Sequence, residues 1–278
     1  MLRNMHDLLG YAIRASDGPI GHVKDFYFDD EAWVVRYLVV DTGTWLSSRK
    51  VLISPFSIGR PDTADKTLPA SITQEQVKNS PDIDTDKPVS RQYEMSYLGY
   101  YGYPYYWGGV GLWGIGSYPG MMLMGAGSAQ ADSSQAAREA ARHEDDDSHL
   151  RSCEAVIKYH VDASDGGVGH VVGMLLDEES WAIRYLIVNT SNWWLGHEVL
   201  IAPQWITDIS WPARKVSVNL TRQAVKEAPP YDPALTLDRN KEIGLHKHYQ
   251  RDGYWANEVR LENPQFHNVA AKESRPGL

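Results

Sequence analysis

The sequence predicts a mainly β chain: two small antiparallel barrels, each with a short C-terminal helix, joined by a Gly/Tyr/Trp-rich linker. Three observations lead there. First, SDGPIGHVKDFYFDDEAWVVRYLVVDTGTWLSSRKVLISPFSI (Ser16 to Ile58) returns without a gap as SDGGVGHVVGMLLDEESWAIRYLIVNTSNWWLGHEVLIAPQWI (Ser164 to Ile206), 148 positions later. One structural unit is thus used twice. Second, each copy is cut into short runs of β-branched and aromatic residues between turn signals, with no long helical pattern. Third, an isolated short sheet leaves its edges open, and closure removes them.

The elements follow in chain order. Leu9 to Ala15 reads as a short strand, and Ser16-Asp17-Gly18 as a turn in which Gly18 can take positive φ. Gly21 to Asp29 is a second strand, ended by the acidic turn Asp29-Asp30-Glu31. Trp33 to Thr42, WVVRYLVVDT, carries the strongest strand signal. Lys50 to Ser54 is closed by Pro55, which cannot donate to a ladder. Thr73 and Gln76 are spaced as a capping box for a short helix. The second copy repeats this order, with strands at Trp205–Trp211 and Lys215–Leu220 and a helix from Thr221. These boundaries give a first barrel at 5–84, a low-complexity aromatic and acidic segment at 85–150, a second barrel at 151–232 and a C-terminal extension at 233–278.

From Met95 to Ala131 no residue is charged. The stretch is long enough to cross a bilayer. Its many glycines, Pro104, Pro119 and its tyrosine hydroxyls argue instead for a flexible aromatic linker, with peripheral membrane contact as the alternative. Ser134 to Arg142 reads as a short Ala-rich helix.

Composition narrows the function. The net charge is −9, without a Lys/Arg run, so a phosphate-backbone footprint is missing and nucleic acid is disfavoured as partner. The single cysteine, Cys153, excludes an intramolecular disulfide and a thiolate zinc cluster. The N-terminal MLRNMHDLLGYAIRA has no apolar run for a signal h-region, so the chain is expected to start inside its first domain, in the cytoplasm. The inner face of the cytoplasmic membrane is the alternative location.

Several residues recur in both copies and invite functional readings. His22 and His170 each open a strand after a Gly; a proton shuttle or ligand is one reading, a locally bonded strand residue the other. Asp17 and Asp165 precede turn glycines, which already explains them. Arg36 and Arg184 lie mid-strand, where a charge needs a partner; Asp29 and Asp177 are the candidates, and an anion or partner carboxylate is the second reading. Trp33 and Trp181 follow one turn, Trp45 and Trp193 the next, and Trp194 adds a second indole. Such aromatics either anchor a protein interface or cover a barrel end. His246 and His248 form an HxH, a metal pair if placed on a strand, but no third ligand stands at a defined spacing. No nucleophile motif and no phosphate loop is present, and no cofactor is expected.

SDGPIGHVKDFYFDD, RYLVVDTG and KVLISP, with their counterparts SDGGVGHVVGMLLDEE, RYLIVNTS and EVLIAP, resemble the PRC-barrel family. That family is named for the cytoplasmic domain of the photosynthetic reaction centre H subunit. The resemblance covers the two repeated segments and leaves the aromatic linker and the tail aside. It implies a six-stranded antiparallel barrel with a short helix, used mostly for protein contacts. In the H subunit the domain also caps a membrane complex and shapes proton delivery to a quinone. The H subunit's N-terminal transmembrane helix has no counterpart here, nor has the RNA-associated domain of the related ribosome maturation factor. The leading expectation is a non-enzymatic scaffold binding protein partners, with homo-oligomerisation compatible. A membrane-complex accessory resembling the H subunit comes second, and a metal- or ligand-binding module using the paired histidines third.

Overall fold

A computed structural model describes residues 1–82, 89–107, 111–114, 116–120, 149–190 and 197–256. They fall into two compact units, Met1–Ala234 and Leu235–Leu278. The first unit is mainly β. Its leading half holds β1 (Leu2–Asn4), β2 (Ala12–Ala15), β3 (Gly18–Asp29), β4 (Val34–Asp41), β5 (Lys50–Ile53) and β6 (Thr67–Pro69). Two helices follow, α1 (Gln74–Lys78) and α2 (Arg91–Tyr101). The trailing half holds β7 (Leu150–Ser152), the single-turn α3 (Cys153–Val156), β8 (His160–Ala163), β9 (Gly166–Asp177), β10 (Ile183–Asn189), β11 (Glu198–Ile201), β12 (Ile206–Ser210), β13 (Lys215–Val218) and α4 (Arg222–Lys226). The helices at the ends of the repeats start where the sequence puts them. Thr73 and Gln76 form the full capping box of α1, and Thr221 caps α4.

Among the described residues the strands form two sheets, ordered β5-β4-β3-β2-β6 and β11-β10-β9-β8-β13-β12. Most pairs are antiparallel, but β2–β6 and β8–β13 are parallel, against the purely antiparallel expectation. No ladder joins the ends of either order among the described residues, so the sheets are not closed by backbone pairing. Yet β11 and β12 stand at opposite ends of their order while only the short 3-10 turn Pro203–Trp205 separates them in sequence.

One glycine approach in each half is forced by the fold. A Cβ on Gly21 would lie 2.1 Å from the carbonyl oxygen of Asp41, and one on Gly169 2.0 Å from that of Asn189. Only glycine lets β3 and β9 pass so close to the strand beside them. Val34 to Val40 are all buried, so β4 meets water on neither face.

Two features differ from the sequence reading. The leading sheet also takes β7, which pairs with β3, and the trailing sheet takes β1, which pairs with β9. Each half therefore lends its first strand to the other. The segment expected to be a flexible aromatic linker is also folded where it is described: residues 91–101 form α2, capped by Ser90. Tyr97, Leu98, Tyr106 and Trp113 are buried. The physical reason is that the leading sheet has apolar surface left to cover and these rings cover it. The Tyr97 hydroxyl donates to the Leu52 carbonyl and accepts from the Ser54 amide, satisfying its polar end. No helix among the described residues is long and apolar enough to cross a membrane. The Ala-rich segment Ser134–Arg142 lies outside the described residues.

The second unit holds α5 (Arg239–His248), capped by Asp238, and a return that packs Tyr254 and Trp255 against each other and His246 against Trp255.

Candidate functional site

The exchange of β1 and β7 sets up a seam between the halves of the first unit. β1 pairs Leu2, Arg3 and Asn4 with Asp177, Leu176 and Leu175, while β7 pairs Leu150, Arg151 and Ser152 with Asp29, Phe28 and Tyr27. Adding 148 to one register produces the other. Between them Val34 bridges Ala182, its own repeat counterpart. The Val35 amide donates to the Trp181 carbonyl at 2.8 Å, and the Ile183 amide to the Trp33 carbonyl at 2.7 Å. Residue i meets residue j and j meets i, the signature of an isologous, two-fold contact written into one chain. Ion pairs repeat the pattern: Arg3 with Glu178, and Arg151 with Asp30 at 2.8 Å.

Trp33 and Trp181 sit on this seam. Their exposure is 8% and 5%, which of the two alternatives, interface anchor or cover over a barrel end, favours the cover. Both take a left-handed backbone, φ 55° and 58°, rare for a bulky residue. That strain is held by the pair of cross-seam hydrogen bonds to their carbonyls.

Arg36 and Arg184 meet the carboxylates the sequence offers them: Arg36 lies 3.2 Å from Asp29 and Arg184 3.4 Å from Asp177. Arg36 also donates to the Leu112 carbonyl at 2.7 Å and stacks 3.9 Å over Tyr106. Burial works to raise the Asp177 pKa, but the Ser180 hydroxyl and the Arg184 guanidinium outweigh it and hold it below the ordinary value. Asp17 and Asp165 accept from the first helical amides, Gln74 at 2.8 Å and Arg222 at 2.7 Å, and so tie a hairpin turn to a helix start.

The paired histidines are not brought together by their ladders. His22 lies within the leading sheet's β3, not at its start, opposite Ala12 and Asp41; His170 lies likewise within the trailing sheet's β9, opposite His160 and Asn189. The HxH is not on a strand either: His246 is buried in α5, bonds the Asp252 carbonyl at 2.9 Å and has its pKa lowered by burial. Among the described residues no three metal-ligating side chains gather. Trp45 alone of the tryptophan candidates is exposed and described, at 38%, on the 3-10 turn Gly43–Leu46, its indole donating to the Ile20 carbonyl. Trp193 and Trp194 lie outside the described residues.

Sequence reasoning missed a buried carboxylate network. Glu94 on α2 is 2% exposed and accepts from the hydroxyls of Tyr37, at 3.1 Å, and Tyr106, while Arg91 pairs with its other oxygen at 2.9 Å. Burial raises its pKa, against the pull of Arg91 and the two phenols. In the second unit Glu242 accepts from Tyr254 at 2.9 Å and pairs with Arg239 at 3.1 Å. Arg91 stacks 4.4 Å over Trp107 and Arg239 4.4 Å over Trp255. The signal was available: Arg91, Glu94, Tyr106 and Trp107 recur as Arg239, Glu242, Tyr254 and Trp255 at the same offset of 148. The repeated unit thus runs well past Pro81 and Pro229.

A cavity of about 390 Å³ opens on the seam, lined by equivalent positions of the two halves: Met5 and Cys153, Leu9 and Ile157, Phe26 and Met174. Lys24, Lys158, His6 and Glu154 also line it. Asp25, on its wall, accepts from the Ser152 hydroxyl and from the Phe26 and Glu154 amides, at 2.7 and 3.1 Å. Burial nevertheless raises its pKa above the ordinary value. Burial likewise pushes the Cys153 thiol well up, which makes it a poor nucleophile.

Two small sheets, each taking an edge strand from the other half, define a mainly β module. Residues 3–74 match the PRC-barrel domain, so a PRC-barrel domain lies in this stretch of the leading half. Ninety residues are 33% identical to a protein of Deinococcus radiodurans described as uncharacterized. That similarity covers 32% of this chain, and the chain spans about a third, 32%, of that relative.

Proposed function

We propose that the chain is a non-enzymatic interaction scaffold in which two PRC-type barrels are fixed about a pseudo-two-fold seam and the Gly43–Leu46 turn is presented to protein partners. The trailing half is read as the second barrel because its strand order repeats that of the leading half. Closure is supported by β11 and β12: end strands joined by one tight turn require the sheet to curl on itself. The observation that carries the reading is the contrast between satisfied and exposed groups. Glu94 and the Arg36 terminal nitrogens bond within the protein, whereas the Trp45 ring is 38% exposed on a turn with no charged side chain.

The test is site-specific photo-crosslinking from Thr44 in cells, with quantitative identification of adducts in wild type and in Trp45→Ala/Trp193→Ala. A defined partner that crosslinks to wild type and is lost at least tenfold from the double variant supports the proposal. Adducts that match background, or that survive both substitutions, refute it. Contact with a membrane complex through residues 95–131 is the weaker reading, because Tyr97, Tyr106 and Trp113 are already committed to the protein interior.

A further inference from the structure

We propose that the outer face of the trailing sheet binds a divalent transition metal of the imidazole-preferring class, such as zinc, through His160 of β8 and His170 of β9. The two residues stand directly opposite each other in the antiparallel ladder. The Val171 amide donates to the Tyr159 carbonyl at 2.9 Å, so that neighbouring pair is hydrogen-bonded. His160 and His170 then form the non-hydrogen-bonded pair, where facing side chains come closest. Their Cβ atoms lie about 4.5–5.5 Å apart on one face. That face is the outer one: Val161 and Val171, next along each strand, are buried, while His160 is exposed and His170 half-buried. Two nitrogens about 2.0–2.1 Å from one zinc stand about 3.4 Å apart at the tetrahedral angle, a span that two such rings reach by turning toward each other. Both rings are uncommitted. Neither has a hydrogen bond, ion pair or ring contact among the described residues, whereas His149 pairs with Asp30 and His246 bonds the Asp252 carbonyl. The flanking positions of the row do not repel a cation: Asn189, opposite His170 on β10, is neutral, and Lys215, opposite His160 on β13, has its ammonium paired with Asp162. No third His, Cys, Asp or Glu joins the pair among the described residues, so the remaining positions fall to water or an outside donor. The leading half supplies the contrast. The same register there sets Ala12 opposite His22, so the pair exists in one repeat only.

The experiment is titration of the metal-stripped full-length protein with zinc chloride, read by calorimetry and by the Cε1–H resonances of the histidines. Saturable one-to-one binding is expected, with a dissociation constant of about 10 μM or tighter and with the His160 and His170 resonances moving together. His160→Gln and His170→Gln each weaken it about tenfold or more, because a single imidazole loses the chelate. Ala12→His writes the same cross-strand pair into the leading sheet and raises the stoichiometry to two. None of the three positions is buried, so the variants keep the fold. The proposal is overturned by an absence of saturable heat up to about millimolar zinc. Undiminished affinity in either Gln variant overturns it too, as does an Ala12→His protein that still takes one zinc.

Discussion

Removing residues 2–4 while keeping Met1 tests the seam directly. Those residues belong by sequence to the leading half, but their ladder lies on β9 of the trailing half. The deletion takes away three register pairs and the Arg3–Glu178 ion pair, and it displaces the Met1 carbonyl that accepts from the Glu178 amide at 3.0 Å. At about 1 kcal/mol for each of roughly three net hydrogen bonds, and up to about 1 kcal/mol for a partly buried ion pair, the loss is about 3–4 kcal/mol. That is a sizeable fraction of a total stability of about 5–15 kcal/mol. With a urea slope near 3 kcal/mol/M, the unfolding midpoint falls by about 1 M. Hydrogen exchange locates the effect: the Glu178 amide and the β9 amides facing β1 lose protection, far along the chain from the cut. A midpoint shift below about 0.3 M, or loss of protection confined to residues 5–15, would refute the strand exchange.

Three further outcomes follow from the same geometry. Trp33→Ala and Trp181→Ala each remove a buried ring and cost about 3 kcal/mol or more in urea titrations; a cost below about 1 kcal/mol for either would mean that its ring covers nothing. Asp25→Asn keeps an acceptor for the Phe26 and Glu154 amides but removes the titration. The folded state raises the Asp25 pKa above 3.8, so wild type binds more protons when folded, and its stability relative to the variant declines as pH rises above that value. Urea midpoints from pH 3.5 to 7 read this; a flat or rising difference contradicts it. Gly169→Ala drives a Cβ into the Asn189 carbonyl and costs about 2–4 kcal/mol, whereas Gly244→Ala, inside α5 with nothing within 4 Å, stabilises by about 0.5–1 kcal/mol. Calorimetric melting of both variants gives the two signs.

The strands were legible because their signals are local. WVVRYLVVDT announces β4, and Thr73 with Gln76 announces the start of α1 to the residue. The turn glycines and Asp17 were legible for the same reason, although Asp17 proves to hold a helix start as well as its turn. The exchange was not, since three residues such as Leu2–Asn4 carry no pattern that says which sheet they join. Leu2-Arg3 against Leu150-Arg151 hinted at it, extending the repeat to the first residues. The aromatic stretch misled for a different reason. Low complexity in Gly and Tyr usually marks a segment without a core of its own, and α2 indeed has none; it borrows the core of the leading sheet. Trp33 and Trp181 stayed open between an interface anchor and a barrel-end cover because turn position does not fix exposure: a left-handed turn can fold its ring back inside.

The Arg-x-x-Glu pairs show how a perturbed group is assigned to structure rather than chemistry. A buried carboxyl with a raised pKa is a functional candidate in general. Glu94, however, has one oxygen against two phenols and the other against Arg91, which itself rests on Trp107. Both oxygens are thus engaged by side chains of the protein, and the group itself is 2% exposed. The same four residue types recur 148 positions on with the same stacking distance in the second unit. A catalytic acid does not need to be duplicated with its entire shell, but a clasp that fastens a helix and its returning chain does. The arrangement therefore reads as the polar fastener of each repeat.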